Sequence, residues 1–266
     1  MDFPHYRSLI RTLLLLSCVT AQAQEDNPCT GPYALLALVN RPSVLESACT
    51  VPEKNVLIEM GSFYEFLTDS GTQNNVPQAV FRYGLSPSFE FDVTIPNYIH
   101  QTIDPKAGFT AAALSLKHEL FVHEKWISSI EGVCILPSGS DAFGAQNPGG
   151  VFNSITTYNL TDVWGVTAMV GISTLPQSQL SGGGNYFSVN PILLLSWSKD
   201  KTSIYGEVSG QTKTAIDEGS GFNFDIGLIY LLKQNITVDI EYAHRLSGNL
   251  GGYNQYVGAG FAIQFN

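Results

Sequence analysis

Apolar and polar residues alternate along most of this chain, and this alternation restricts its fold more than any other feature. It is clearest over residues 89–95, where Phe, Phe, Val and Ile fall on one face and Glu, Asp and Thr fall on the other. A period of two in segments rich in aromatic and β-branched residues predicts β-strands rather than helices. Twelve such runs can be placed, at 55–67, 78–85, 88–95, 108–120, 125–136, 150–160, 163–174, 186–198, 202–210, 222–232, 236–245 and 255–265.

The connectors between these runs alternate in length. Short connectors lie at 86–87, 121–124, 161–162, 199–201 and 233–235, and long ones at 68–77, 96–107, 137–149, 175–185, 211–221 and 246–254. Tight turns at one end and long loops at the other are typical of bacterial outer-membrane barrels. The pattern therefore predicts an all-β fold over 55–266, a transmembrane, antiparallel up-and-down β-barrel of about twelve strands. With the N-terminus in the periplasm, every long loop would lie outside the cell.

Composition agrees with this prediction. Charged residues make up 14% of the chain, well below the roughly 25% that is typical of soluble domains. Beyond the N-terminus no apolar run approaches the ~20 residues that a spanning helix requires. The net charge is −10 and Lys and Arg do not cluster, so we expect no nucleic-acid partner.

The N-terminus has the parts of a secretory signal peptide. Arg7 and Arg11 flank a short apolar run at 13–16, which leads into Ala21-Gln22-Ala23. A basic segment, a short apolar segment and a small-x-small exit predict a cleaved signal over 1–23, and hence export to the outer membrane. Two alternatives stay open: a frayed helical N-terminus, and lipoprotein processing at Cys18.

Residues 24–54 differ from the alternating segments that follow them. Pro42 and Pro52 interrupt any helix there, and Cys29 and Cys49 could form a disulfide in an oxidising compartment. We interpret 24–54 as a short N-terminal segment, periplasmic or inside the lumen, that packs against the barrel. Cys134 is interpreted as an ordinary strand residue.

Four stretches of the chain, 81–91, 114–120, 136–139 and 256–261, resemble a known family. It is the proteobacterial outer-membrane family of meta-pathway phenol-degradation transporters. The resemblance covers roughly 55–266 and implies a barrel that passes solutes, with a link to aromatic compounds. The last strand ends at Phe265 followed by Asn266, and we expect the barrel-assembly machinery to recognise it.

Charged residues on the polar faces of the strands should line a wet interior, because charges are costly on the lipid side. The tight turn at 86–87 should place Arg82 nearly opposite Glu90, with Asp92 on the same face. One interpretation is a charged constriction that selects solutes; the other is a salt-bridge network that fills a narrow barrel. The complete set of lumen candidates is Arg82, Glu90, Asp92, Lys117, Glu119, Glu207, Asp225, Asp239 and Glu241.

Three functions are compatible with these features. The first is a channel for small solutes, with hydrophobic or aromatic compounds as candidates and outer-membrane lipid as the surroundings. The second is a closed barrel with a structural or binding role, whose loops contact partners. The third is a lipid-modifying enzyme with His118 and either Ser128 or Ser129, but no local motif supports a catalytic pair. We therefore expect no enzyme, no cofactor and no metal site.

Overall fold

The computed structural model describes residues 28–123 and 125–266, so the predicted signal peptide lies outside the described residues. Apart from a helical turn, α1 (Leu35–Leu38), and two short 3₁₀ turns, the regular structure is β. The strands are β1 (Val56–Leu67), β2 (Thr72–Val76), β3 (Val80–Ser86), β4 (Phe89–Thr94), β5 (Tyr98–Gln101), β6 (Ala107–Phe109), β7 (Ala113–His123), β8 (Trp126–Ile135), β9 (Gly149–Asn159), β10 (Trp164–Pro176), β11 (Asn185–Lys199), β12 (Thr202–Gln211), β13 (Gly221–Lys233), β14 (Ile236–Ser247) and β15 (Tyr253–Phe265).

The strands close into a single antiparallel barrel. Each strand from β7 to β15 pairs with the next, β7 pairs with β4, and β4 with β3. The barrel closes because β15 pairs along its whole length with β1, from Val56↔Phe265 to Leu67↔Tyr253. The predicted all-β, twelve-stranded barrel is confirmed.

Three of the twelve barrel strands are interrupted, which the sequence did not predict. β2 and β3 both pair with β1 and act as one barrel strand, and β5 and β6 likewise extend β4 and β7 towards the long loops. The predicted long connectors 68–77 and 96–107 were therefore too long. Pro77 and Pro96 fall at two of the interruptions, and proline breaks the ladder because it has no N–H to donate.

The outer surface of the barrel is apolar. Alternate residues of nearly every strand expose a large hydrophobic side chain, among them Phe91, Leu116, Ile172, Leu193 and Ile240. Their neighbours in sequence face inward and are mostly buried and polar. This is the reverse of a soluble barrel, and it is the arrangement that a lipid environment stabilises. Among the described residues, no helix is long and apolar enough to cross a membrane.

The two ends of the barrel differ. At one end, here called the turn end, β1 begins, β15 ends and the tight turns lie; at the other, the loop end, lie the longer loops such as 136–148 and 212–220. The predicted orientation places the turn end in the periplasm.

Residues 28–54, here called the plug, lie inside the barrel in its turn-end half. The disulfide between Cys29 and Cys49 closes most of the plug into a loop, as predicted. Buried plug residues pack against inward-facing apolar residues from most of the wall, and the core that they form joins Leu35, Leu38, Leu45 and Val51 to Leu57, Ile127, Ile155, Leu194 and Leu231. Burying these side chains favours the docked plug by roughly 25 cal/mol per Å² of apolar surface.

Candidate functional site: the plugged lumen

Inward-facing carboxylates hold the plug by its backbone. Glu59 on β1 accepts the N–H groups of Asn40 and Arg41, at 3.0 and 2.8 Å. On the opposite side, both oxygens of Glu207 on β12 are used, one for each of two successive plug N–H groups, those of residues 44 and 45, at 3.1 Å. A carboxylate is a strong acceptor for an otherwise unpaired buried N–H, so these contacts satisfy an irregular segment that has no ladder of its own.

A third carboxylate anchors the C-terminal end of the plug, just before β1 begins. Glu90 on β4 accepts the N–H of Val51, and Thr50 hydrogen-bonds Glu119 on β7. The backbone of the plug then runs against Gly84 on β3, where a side chain would overlap the carbonyl oxygens of residues 51 and 52. A glycine at this inward position therefore leaves the space that the plug occupies.

The predicted cluster around Arg82 exists, but its register differs from the prediction. Arg82 lies opposite Asp92, not Glu90, which is opposite Gly84. The Arg82 side chain reaches diagonally to Glu90, with Nε 2.9 Å from Oε1. The predicted partner was two residues away from the observed one, and the ladder is irregular between residues 84 and 86, beside the turn.

The cluster is a closed network of charges. Arg82 Nη1 lies 2.7 Å from Glu59 Oε1 and 2.6 Å from the carbonyl oxygen of Leu38 in the plug. Lys117 on β7 lies 3.2 Å from Glu90 Oε1, and its side chain is fully buried. Asp92 accepts a hydrogen bond from the Ser115 hydroxyl. This side of the lumen, formed by β1, β3, β4 and β7, is here called the paired wall, because the barrel supplies its own cations.

On the opposite side, among the described residues, no base of the strands forms an ion pair with the inward carboxylates. β12, β13 and β14 place four buried acids on the lumen face, Glu207, Asp225, Asp239 and Glu241. Glu207 lies directly opposite Asp225, and Glu241 accepts a hydrogen bond from the Tyr256 hydroxyl at 2.6 Å. The cation that this acidic wall contacts is Arg41 of the plug, whose Nη2 lies 3.1 Å from Asp239 Oδ1.

Arg41 occupies a slot shaped for a flat cation. Gly61 on β1 and Gly260 on β15 are directly opposite each other, and a side chain on either would overlap the guanidinium. Gln78 Oε1 accepts from Arg41 Nη1 at 2.9 Å, and the Phe63 ring lies 5.4 Å from the guanidinium carbon. The slot thus offers a flat floor, two acceptors and an aromatic face, which are the features that bind guanidinium groups.

Glu46, on the plug, faces the paired wall. Its carboxylate lies 3.7 Å from Lys117 Nζ, and 30% of the side-chain surface is exposed. The pKa of Glu46 is raised to about 8, mainly by burial and also by Glu131 and Asp92, and Lys117 and Arg82 offset part of this rise. Glu46 is therefore a group of the plug that can change its charge near neutral pH.

A cavity of about 1130 Å³ separates the plug from the third side of the lumen, formed mainly by β9, β10 and β11. The plug contributes apolar groups such as Leu36 and Val39, and the wall contributes hydroxyls such as those of Thr167 and Ser196. The charged residues of its lining, Lys125, Asp162, Lys199 and Asp200, are at the turn end. This neutral wall has no charged residue except Lys199. The cavity therefore suits an uncharged molecule better than an ion.

Catalytic candidates are not brought together. His118 stacks on the ring of Phe89, and its Nδ1 is 3.1 Å from the Ser88 carbonyl oxygen. The Ser128 hydroxyl pairs with that of Thr156, and the buried Ser129 hydroxyl has no hydrogen-bond partner among the described residues. Among the described residues, no cluster of His, Cys, Asp and Glu has the geometry of a metal site.

Sequence reasoning missed the plug side of the site. It also missed Glu59 on β1, which was not among the lumen candidates, and Arg41 and Glu46 lie in the segment whose position stayed open. One signal was available: Gly61, Gly84 and Gly260 are glycines at inward positions, where larger residues would be expected to fill a narrow barrel.

These features define a class of protein, a twelve-stranded barrel of the outer-membrane type whose lumen holds an N-terminal plug. Residues 39–265 match the model of a family described as "Putative MetA-pathway of phenol degradation". The chain belongs to that family, as the resemblance predicted.

Solved structures support the same fold. The chain is similar to a COG4313 outer-membrane channel from Pseudomonas putida F1, with a TM-score of 0.66 and 11% identity over 85% of this chain and 100% of that one. It is also similar to the KdgM porin in complex with disordered oligogalacturonate (TM-score 0.55, 10% identity, 79% and 99% coverage) and to the NanC porin (0.53, 9%, 79% and 99%). At this identity the likeness concerns the fold. No functionally curated protein matches the sequence.

Proposed function

We propose that this protein is an outer-membrane channel for small solutes and that the plug controls its pathway. The observation that carries the proposal is the way the plug is held. Its contacts with the strands are hydrogen bonds, ion pairs and apolar packing, and its backbone N–H groups bind wall carboxylates that a displaced plug would leave to water. Such contacts are reversible, so the plug can leave the lumen without unfolding the barrel. The channels and porins among the structural relatives agree with this role.

The cavity suggests the class of solute. Its apolar and hydroxyl lining, without charge except at the turn end, suits small uncharged molecules that combine an apolar body with a hydroxyl. Pockets of this kind bind mainly through apolar surface, with a few polar groups that fix orientation. We therefore propose small hydrophobic or aromatic alcohols as solutes, in agreement with the phenol link in the family description.

Planar-bilayer recording tests the channel. Purified protein should give conductance steps, and Glu207→Ala should give larger or longer steps because it removes the acceptors for two plug N–H groups. Asp217→Ala, which removes the same charge from an exposed loop residue, is the matched control and should behave as the wild type. Since inward acids outnumber inward bases, we expect a modest cation preference. A bilayer that stays silent with every variant, together with normal solute uptake after gene deletion, would contradict the proposal.

Current block tests the solute class. Benzyl alcohol should block the current at lower concentration than glycerol does, and Leu194→Asn, in the cavity wall, should weaken this block. Equal block by both compounds would exclude an aromatic preference while leaving the channel in place.

A closed barrel with a structural or binding role is the second candidate. It is favoured by the same plug, which fills much of the turn-end half of the lumen. It predicts that Glu207→Ala loosens the plug without any conductance, so the bilayer experiment separates the two functions.

A further inference from the structure

The Arg41 slot has the properties of a ligand site that the chain itself occupies. Its four sides lie in one row across neighbouring strands, with Asp239 opposite Gly260, Gly260 opposite Gly61, and Gln78 bonded to the Gly61 carbonyl oxygen. Three of these groups come from the barrel strands and one from the connector between β2 and β3. The site is therefore part of the barrel and persists when the plug moves away.

The fit between the slot and Arg41 is incomplete. Among the described residues, no acceptor lies within hydrogen-bonding distance of Arg41 Nε, although the atom is buried. Glu241 Oε2, on the neighbouring inward position of β14, is also buried without a donor. A buried polar oxygen without a partner is costly. The site therefore has acceptor capacity for a cation that Arg41 does not use.

The acidic wall needs a cation at this position. Its basic residue Arg245 lies nearer the loop end of β14 and donates to the Gly248 carbonyl oxygen, so among the described residues removing Arg41 leaves Asp239 without its ion pair. A wall of this kind attracts small cations, and a low-dielectric lumen strengthens the attraction. The charge of the wall and the shape of the slot thus select the same ligand class.

We propose that the slot of Asp239, Gln78, Phe63, Gly61 and Gly260 binds small solutes with a planar guanidinium or amidinium head, and that Arg41 is a built-in competitor for it. A solute that takes the slot replaces Arg41 and releases the tip of the plug, residues 40–45. The proposal rests on the proposed channel function for its consequence, because the released tip opens the pathway, but solute binding itself does not require conduction.

Competition with the tethered Arg41 side chain sets the concentration of solute that is needed. A tethered group competes at an effective concentration on the order of millimolar, and a ligand shifts an equilibrium only by its preference for one state. Millimolar methylguanidinium is therefore the appropriate probe. Tetramethylammonium at equal ionic strength is the control ion, because it has the same charge but is too bulky for the flat floor and donates no hydrogen bond.

The first measurement is protease cleavage within residues 28–54 of the full-length protein in detergent. Methylguanidinium should increase the cleavage rate of the wild type several-fold, and tetramethylammonium should not. Asp239→Asn and Gln78→Ala should each abolish the increase; the two variants serve as independent tests should one of them fail to fold. Glu65→Gln, which removes an inward acid of β1 outside the slot, should respond as the wild type does. Equal responses to both cations, or a wild-type response in Asp239→Asn, would overturn the proposal.

The second measurement is current through planar bilayers. Methylguanidinium should raise the open probability of the wild type, whereas Arg41→Ala should be open without it and should be partly blocked by it, because the slot is then free. If cleavage responds as expected but no variant conducts, the binding site stands and the channel function fails. If Arg41→Ala conducts but methylguanidinium changes neither cleavage nor current, the channel stands and the binding site is refuted.

Discussion

The paired wall and the acidic wall of the lumen neutralise their carboxylates by different means. On the paired wall, Arg82 and Lys117 come from the barrel strands and contact Glu59 and Glu90 directly. On the acidic wall the cation is Arg41, which the plug supplies. The ion pairs among the strand residues of the paired wall therefore do not depend on the plug, whereas the ion pair of Asp239 on the acidic wall requires it. We therefore expect the paired wall to contribute mainly to the stability of the barrel and the acidic wall to the position of the plug.

Replacing the arginine that pairs with each wall should give the largest difference in barrel stability. Arg82→Met leaves the buried carboxylate of Glu59 without its cation and leaves Glu90 with Lys117 alone, and breaking such a network by removing one partner costs about 3–5 kcal/mol. We expect a barrel that unfolds at much lower urea concentration or fails to assemble, as measured by heat-modifiable mobility and urea titration. Arg41→Met should leave the barrel transition nearly unchanged and release only the plug. Equal losses of barrel stability in the two variants would remove the distinction between the walls.

The disulfide should matter for the plug but not for the walls. Cys29 and Cys49 are 20 residues apart in sequence, and a cross-link that closes a loop of this length contributes about 3 kcal/mol. The double substitution Cys29→Ser and Cys49→Ser should make the plug sensitive to protease at a denaturant concentration that the barrel still resists. Loss of both plug and barrel in one transition would indicate that they fold as a unit.

Most of the barrel could be predicted from the sequence, since alternation and connector length report directly on which face each residue occupies. The interruptions near Pro77 and Pro96 were harder to predict, because a kinked strand and a loop have similar composition. Arg82 was placed on the correct face, but its partner was two residues out, because a local irregularity beside a turn leaves no sequence pattern. The plug was predicted to pack against the barrel, but its position in the periplasm or in the lumen stayed open, because its backbone N–H groups carry the contacts and every residue except proline has one.

Substitution of Gly84 tests whether the C-terminal end of the plug packs closely against the paired wall. Gly84→Ala introduces a methyl group where the carbonyl oxygens of residues 51 and 52 lie, and overpacking of this kind costs about 1–3 kcal/mol. We expect faster protease cleavage of the plug and larger conductance steps. Gly132→Ala is the matched control, because nothing lies within 4 Å of the added carbon. If the two variants cannot be distinguished, close packing of the plug against Gly84 does not contribute to docking.

Glu46 should give the smallest effect, a pH dependence of plug docking. Its pKa is about 8 in the docked plug and would return towards its ordinary value of 4.5 when the plug leaves. The docked state therefore binds more protons between these two values, so docking should weaken as pH rises through this window. Protease cleavage of the wild-type plug should accelerate from pH 5 to pH 9, and Glu46→Gln should flatten the profile because its side chain does not titrate. All other groups are the same in the two proteins, so only the difference between the two profiles reports on Glu46. Parallel profiles would assign the pH dependence to the walls instead of the plug.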